Sequence, residues 1–278
     1  MTTRDLGDMD PAVRQRVKEL TGLDPVATLT FFDTFYLEPL SRRLDIGSST
    51  ILDCACGTAW LAMAARLRGA PRVVAADLYP STLDRARAVA ALLGLEDEIE
   101  FVTADVTRLP FADQEFDAVC SIETLEHVPV VPATRELARV CRQFFVVETI
   151  NRRFPIDTHD TPYPFAHFLP TALRRRVNLH YGTSELNRYP SWGEVEGALT
   201  EFDLLTPFKT FQDPDDWAAA FPYENPYIRG RLVELSQPKW RAKQLYYRSV
   251  YGLMGQRGRR ALDKITGVYG RREPVAAP

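Results

Sequence analysis

"ILDCACGTAW", residues 51–60, runs from an apolar stretch into a tight loop, and the reading of that loop decides the fold. Asp53 closes the apolar run, and Ala55, Gly57 and Ala59 then alternate with Cys56 and Thr58. The spacing is acid-x-small-x-Gly-x-small, in which small residues let a ligand approach the backbone closely. A dinucleotide loop, G-x-G-x-x-G, would require its third glycine at position 60, where close strand–helix packing leaves no room for a side chain. Trp60 stands there, which argues against that loop, and Asp53 has no part in its pattern. The methyl groups of Ala55 and Ala59 fit wherever φ is negative, so negative φ is expected at both, with the closest approach at Gly57.

Outward from this loop, strand-like and helix-like stretches alternate. "TILDCA" leads to a helical "AWLAMAARLRG" that stops at Gly69. "RVVAADL", the helix "STLDRARAVAALLG" with Ser81 as its expected cap, and "IEFVTAD" follow. Then come "FDAVCSI", a helix around "ATRELARVCRQ", and "FFVVETI". Near-continuous apolar strands separated by helices predict a parallel sheet covered on both faces. Residues 1–45 read as two helical stretches, a cap ahead of the sheet. Residues 151–190 break the rhythm with prolines, histidines and aromatics, the composition of a lid or binding loop. A helix "SWGEVEGALTEF", a strand "DLLTPFKTF", a helical, aromatic-rich insert over 213–264 and a last strand "TGVYGRREP" complete one domain spanning 1–278.

The stretch 51–60 resembles motif I of the class I S-adenosylmethionine-dependent methyltransferases, and the resemblance runs through about residues 48–150. It implies a Rossmann-like, doubly wound α/β sheet of seven mostly parallel strands, the last one antiparallel. It further implies that Asp53 helps hold the methionine amino group and that Ala55 and Gly57 line the cofactor. By the same resemblance Asp77, with Leu78 after it, takes the ribose hydroxyls, and Asp105 with Val106 meets the adenine. The backbone at Ser121 and Ile122 would flank the methionine part.

Beyond the cofactor, "SIETLEHVP" sets Glu123, Glu126 and His127 at i, i+3 and i+4, one face if the segment begins a helical turn. Two carboxylates and an imidazole make half of a divalent-metal site, and His159 from "FPIDTHDTP" could complete it. The pattern is similar to the E-x-x-E-H of small-RNA 3′-end and quinone-precursor O-methyltransferases, which implies a Mg²⁺ or Mn²⁺ that orients an acceptor oxygen. His127 as a base or acceptor-positioning group, or as a structural residue, stays open beside the metal reading, with His127 and His159 the candidate catalytic pair. Oxygen is the favoured acceptor atom, with nitrogen and carbon as alternatives. Aromatics such as Phe31, Phe32, Phe35 and Tyr36 read as core before they read as an acceptor pocket.

The 278-residue chain has 45% hydrophobic and 26% charged residues, as in an ordinary globular protein, and a net charge of −3 that gives nucleic acid no electrostatic footing. The acidic start and the lack of a long apolar run lead to the expectation of a cytoplasmic protein without a membrane span. Cys54, Cys56, Cys120 and Cys141 read as structural thiols. The expected partner is a small-molecule methyl acceptor, and a homo-oligomer stays open. Two readings from other classes compete: a cofactor-binding scaffold without turnover, and a nucleotide-dependent oxidoreductase, disfavoured by Trp60.

Overall fold

A computed structural model describes residues 3–153, 168–180, 187–206, 223–225, 231–233 and 264–272, with isolated positions between 236 and 253. The N-terminal part is helical, as expected. Helix α1 (Pro11–Thr21) starts where the Asp10 side chain accepts from the Ala12 N–H, and stops at Gly22 in the left-handed region, φ 75°. Helix α2 (Pro25–Phe32) repeats the device with Asp24, whose carboxylate accepts from the Ala27 N–H. A π-turn (Asp33–Leu37) and the short α3 (Glu38–Ser41) follow.

The sheet begins with β1 (Thr50–Cys54), then α4 (Trp60–Leu67), β2 (Arg72–Asp77), α5 (Pro80–Leu92), β3 (Glu100–Thr103), β4 (Phe116–Ile122), α6 (Val130–Val140) and β5 (Cys141–Thr149). After α7 (Thr171–His180) and α8 (Trp192–Ala198) come β6 (Phe202–Thr206), a hairpin of β7 (Tyr223–Asn225) and β8 (Arg231–Val233), and β9 (Ile265–Arg271). The seven-stranded order is β3-β2-β1-β4-β5-β9-β6. Strands β1 to β5 pair in parallel, and β9 runs antiparallel to both β5 and β6. This is the doubly wound Rossmann-like sheet that the sequence predicts, with its antiparallel last strand.

Period-2 alternation divides the strands between two cores. Ile51, Val73, Ala118 and Val146 face the α4, α5 and N-terminal helix side, where Leu61, Val89, Leu29 and Phe35 pack. Leu52, Val74, Val119 and Phe145 face the opposite side, against Leu137 and Val140 of α6 and Trp192 and Val195 of α8. Phe35 and Tyr36 are buried core residues, and Phe31 and Phe32 pack half-buried against them. Strand order reverses between β1 and β4, and at such a switch point the loops diverge and leave a cleft beyond the strands' C-terminal ends.

Three local expectations need correction. Helix α5 begins at Pro80 with Tyr79 as its cap residue, not at Ser81: the proline's fixed φ suits the first helical position, and the Thr82 N–H, which a side-chain cap would take, bonds to the Tyr79 carbonyl at 3.0 Å. The expected lid contains a ten-residue helix, α7. The expected helical insert contains the β7–β8 hairpin, whose aromatic Tyr223 and branched Val233 suit paired strands. Among the described residues no helix is long and apolar enough to cross a membrane.

Candidate functional site

The loop between β1 and α4 is folded more tightly than its sequence suggests. The Cys56 N–H donates to the Ala76 carbonyl at 3.0 Å, tying the loop to β2, and the Ala59 N–H donates to the Cys56 carbonyl at 2.7 Å. Ala55, Gly57 and Ala59 all lie in the left-handed region, at φ 58°, 54° and 60°. The expectation of negative φ at the two alanines is therefore wrong. The chain must leave a buried strand and enter a helix within a few residues, and it accepts about 1–2 kcal/mol of strain at each alanine to do so. Alanine is the smallest residue that can stand there other than glycine. At Gly57 a Cβ would meet no heavy atom within 4 Å, so the side of the loop facing the cleft is open.

Two aspartates hold this loop. Asp77, at the end of β2, accepts from the Gly57 N–H at 3.1 Å through Oδ2 and from the Tyr79 N–H at 3.0 Å through Oδ1. Asp53 accepts from the Ala62 N–H at 3.0 Å, which fixes the first turn of α4. Burial pushes the Asp53 carboxyl up to about 7, the Ala62 N–H opposing and the charge of Asp77 adding to the shift. Asp105 is exposed, and the backbone N–H and hydroxyl of Thr107 both donate to its Oδ1, which holds its pKa below the ordinary value.

A cleft of about 1010 Å³ opens across these strand ends. Ala55, Gly57, Asp77, Leu78, Asp105 and Val106 all line it. Leu78 and Tyr79 leave 51% and 63% of their surfaces exposed beside it, apolar area that a bound ring would cover. Asp53, Ser121 and Ile122 do not reach its wall: Asp53 lies under α4, and the chain past β4 presents Glu123 and Thr124 instead.

The far end of the cleft departs from expectation. Glu123 sits at φ 50°, so β4 ends in a left-handed residue and no helical turn carries Glu123, Glu126 and His127 on one face. The Glu123 and Glu126 side chains stay in hydrogen-bonding contact, while His127 turns away from them to the surface. Glu123 pairs with Lys264 Nζ at 2.5 Å, at the start of β9. Glu126 is 0% exposed and accepts from the Thr149 hydroxyl at 2.7 Å, while His127 is exposed at the cleft rim. His159 lies outside the described residues. Among the described residues no group of three metal-binding side chains converges.

What the sequence reading missed is the group behind Glu123. Glu148, buried at the end of β5, also takes Lys264, at 2.9 Å, and accepts from the Tyr36 hydroxyl at 3.1 Å. Burial raises the pKa of Glu148, and Lys264 offsets part of that rise. For Lys264 itself burial favours the neutral amine, but Glu123 and Glu148 outweigh it and hold its pKa above the ordinary value. Asn187 and Arg188 also enter the wall, through a backbone bond from the Arg188 N–H to the Glu126 carbonyl at 2.9 Å. The one available signal was the acid of "VVET", a charge at a position where the strand's alternation calls for an apolar residue. The four cysteines are free; burial pushes the Cys54, Cys120 and Cys141 thiols up, as expected of structural thiols.

Comparison with known proteins agrees with this geometry. Residues 51–143 match the family model described as "Methyltransferase domain". Methyltransferase GfsG of Streptomyces halstedii is 40% identical over 111 residues, 38% of this chain and 38% of that protein. Ubiquinone biosynthesis O-methyltransferase of Xylella fastidiosa is 34% identical over 142 residues, 49% of this chain and 52% of that protein. The matched part of the chain thus spans about two fifths to half the length of these relatives. Among solved structures, geranyl diphosphate C-methyltransferase from Streptomyces coelicolor has a TM-score of 0.56 at 16% identity, over 97% of this chain and 96% of that one, a likeness of fold. Residues 51–143 are thus a methyltransferase domain, and the sheet around them shares its fold with solved S-adenosylmethionine-dependent methyltransferases.

Proposed function

We propose that the protein transfers a methyl group from S-adenosylmethionine to a hydroxyl of a small molecule. The observation that carries this reading is the Asp77–Gly57 bond at the β1/β4 switch point. It holds an open, glycine-floored loop opposite a carboxylate, and the cradle fits a nucleoside cofactor. A bound S-adenosylmethionine supplies an electrophilic methyl on its sulfonium, and the residues of the chain have the rest to do. Asp77 accepts from the ribose hydroxyls with lone pairs that its two backbone donors leave over, and Asp105 Oδ2 accepts from the adenine amino group. Leu78 and Val106 cover the adenine faces. Asp53 acts indirectly, by fixing α4 and hence the loop.

Displacement at a methyl needs mainly alignment, together with a group to receive the acceptor's proton. Glu123, at the cleft wall beyond the methionine end, and His127 at the rim are the residues placed to accept a hydrogen bond from a hydroxyl. The similarity to an O-methyltransferase over 142 residues supports oxygen as the acceptor atom. The test is titration calorimetry with S-adenosylhomocysteine, followed by detection of that product when S-adenosylmethionine is turned over with candidate phenols and alcohols. One-to-one binding with turnover is expected. Binding without turnover on any acceptor would favour the scaffold reading, and absence of binding would end the proposal.

A further inference from the structure

Helix α7 carries an exposed surface outside the cleft. Phe168 and Leu169, in the turn before it, and Leu173, in its first turn, leave 52%, 39% and 49% of their surfaces exposed. Arg174 turns back into the fold: its Nη2 donates to the Asn187 carbonyl at 2.9 Å, and its guanidinium lies 5.7 Å from the centre of the Tyr189 ring. At about 100° per residue, Ala172 and Arg176 stand opposite Arg174, with Leu173 and Arg175 on the flanks, and all four are exposed.

Charge sets this stretch apart from the rest of the chain. Residues 161–184 hold three arginines and no acid, in a chain with 37 acids and a net charge of −3. Exposed apolar side chains bordered by cations suit a surface of acidic headgroups over an apolar layer. A protein partner fits less well. A stable protein contact covers about 800 Å² on each side, and one turn of helix with three apolar side chains is a far smaller anchor. At ten residues α7 is too short to span a bilayer, so the contact is one of lying on it.

We propose that α7 and the turn before it dock the protein onto an anionic lipid surface, with Phe168, Leu169 and Leu173 entering the interface and Arg175 and Arg176 meeting lipid phosphates. Arg174 ties the helix to Asn187 in the cleft wall, so the docked protein holds that wall next to the bilayer.

The test is sedimentation of the full chain with vesicles of phosphatidylcholine alone, and of phosphatidylcholine mixed with phosphatidylglycerol, at low and high salt. Binding to the mixed vesicles is expected to be about tenfold tighter than to the neutral ones, and to weaken as salt screens the headgroups. Arg175→Glu with Arg176→Glu should bring mixed-vesicle binding down to the neutral level, and Leu173→Ser should weaken it about tenfold. These positions are exposed, so thermal midpoints and S-adenosylhomocysteine affinity should stay at wild-type values. Equal binding to the two vesicle types would overturn the inference, as would mixed-vesicle binding that survives both sets of substitutions. So would a wild-type chain that stays in the supernatant. If Leu173→Ser then turned a dimer into a monomer in light scattering, the face would belong to a second copy. Vesicle binding is read without cofactor, so it stands or falls separately from the methyl-transfer reading.

Discussion

At the β1–β3 end of the cleft, carboxylates are held by backbone N–H groups close in sequence. Asp105 takes Thr107, and Asp77 takes Tyr79 and, 20 residues away, Gly57. At the β4–β5–β9 end, carboxylates are held by side chains far along the chain: Glu123 and Glu148 by Lys264, 141 and 116 positions distant, and Glu148 by Tyr36, 112 positions distant. The first end is a set of turns that each segment can make for itself. The second exists only once the N-terminal helices, the central strands and the last strand have come together. The first should therefore tolerate change as a binding site does, losing affinity, and the second as a core does, losing stability.

The largest effect is expected at Lys264→Met. It leaves Glu123 and Glu148 without their cation, and breaking a buried ion pair from one side costs about 3–5 kcal/mol, an upper bound here because only Glu148 is fully buried. Because the Lys264 pKa is raised in the fold, its contribution is complete below about pH 10, the ordinary lysine value, and is lost only as pH rises through the higher folded value. Urea midpoints of the variant should thus be low throughout the neutral range, and adding Glu148→Gln should recover much of the loss. A wild-type midpoint in Lys264→Met would mean that the two ends are built alike.

Next is Asp77→Ala, which removes the acceptor for two backbone donors and, on the proposed reading, for the cofactor's ribose. Hydrogen bonds to a charged group are worth about 1.5–3 kcal/mol each, so S-adenosylhomocysteine affinity should drop on the order of 100-fold by calorimetry. A stability loss larger than the affinity loss would make this end structural as well.

Asp53 offers a test from pH. Its carboxyl titrates near 7 in the fold against about 3.9 in an unfolded chain. Between these values the folded state holds a proton that the unfolded state has released, so stability falls as pH rises from 4 to 7. Asp53→Asn, which can still accept from the Ala62 N–H, should be near neutral at pH 4.5. At pH 8 it should stabilise by roughly 2 kcal/mol, read as thermal midpoints at both values. Equal midpoints at the two pH values would mean that Asp53 is not desolvated. A large loss of cofactor affinity would return it to the ligand-binding set that the sequence suggested.

The smallest expected effect is at Ala55→Gly. Relief of left-handed strain, less the added freedom of the unfolded chain, should stabilise by at most about 1 kcal/mol, with cofactor affinity unchanged or improved. Destabilisation there would show that the alanine methyl is packed rather than tolerated.

The sequence by itself determined the sheet and the cofactor end. Alternation of apolar strands with helices set the layers, and Asp53, Gly57, Asp77 and Asp105 fell at strand ends, where the chain turns. Most of their partners are local backbone groups, and the one longer link, Gly57 to Asp77, joins neighbouring strand ends, so the strand pattern is enough to find them. Even there it failed on backbone angles, since the positive φ of Ala55 and Ala59 follows from how β1 must meet α4 beneath β2, which composition does not express. The acceptor end was decided by tertiary structure alone. Spacing placed Glu123, Glu126 and His127 on one helical face, but the pairing of β5 with β9 brings Lys264 to Glu123 and Glu148. With Glu123 committed to that pairing and turned by a left-handed φ, the Glu123 and Glu126 carboxyls stay together while His127 parts from them to the surface. A buried charge takes whatever opposite charge the packing delivers, and that partner can lie anywhere along the chain.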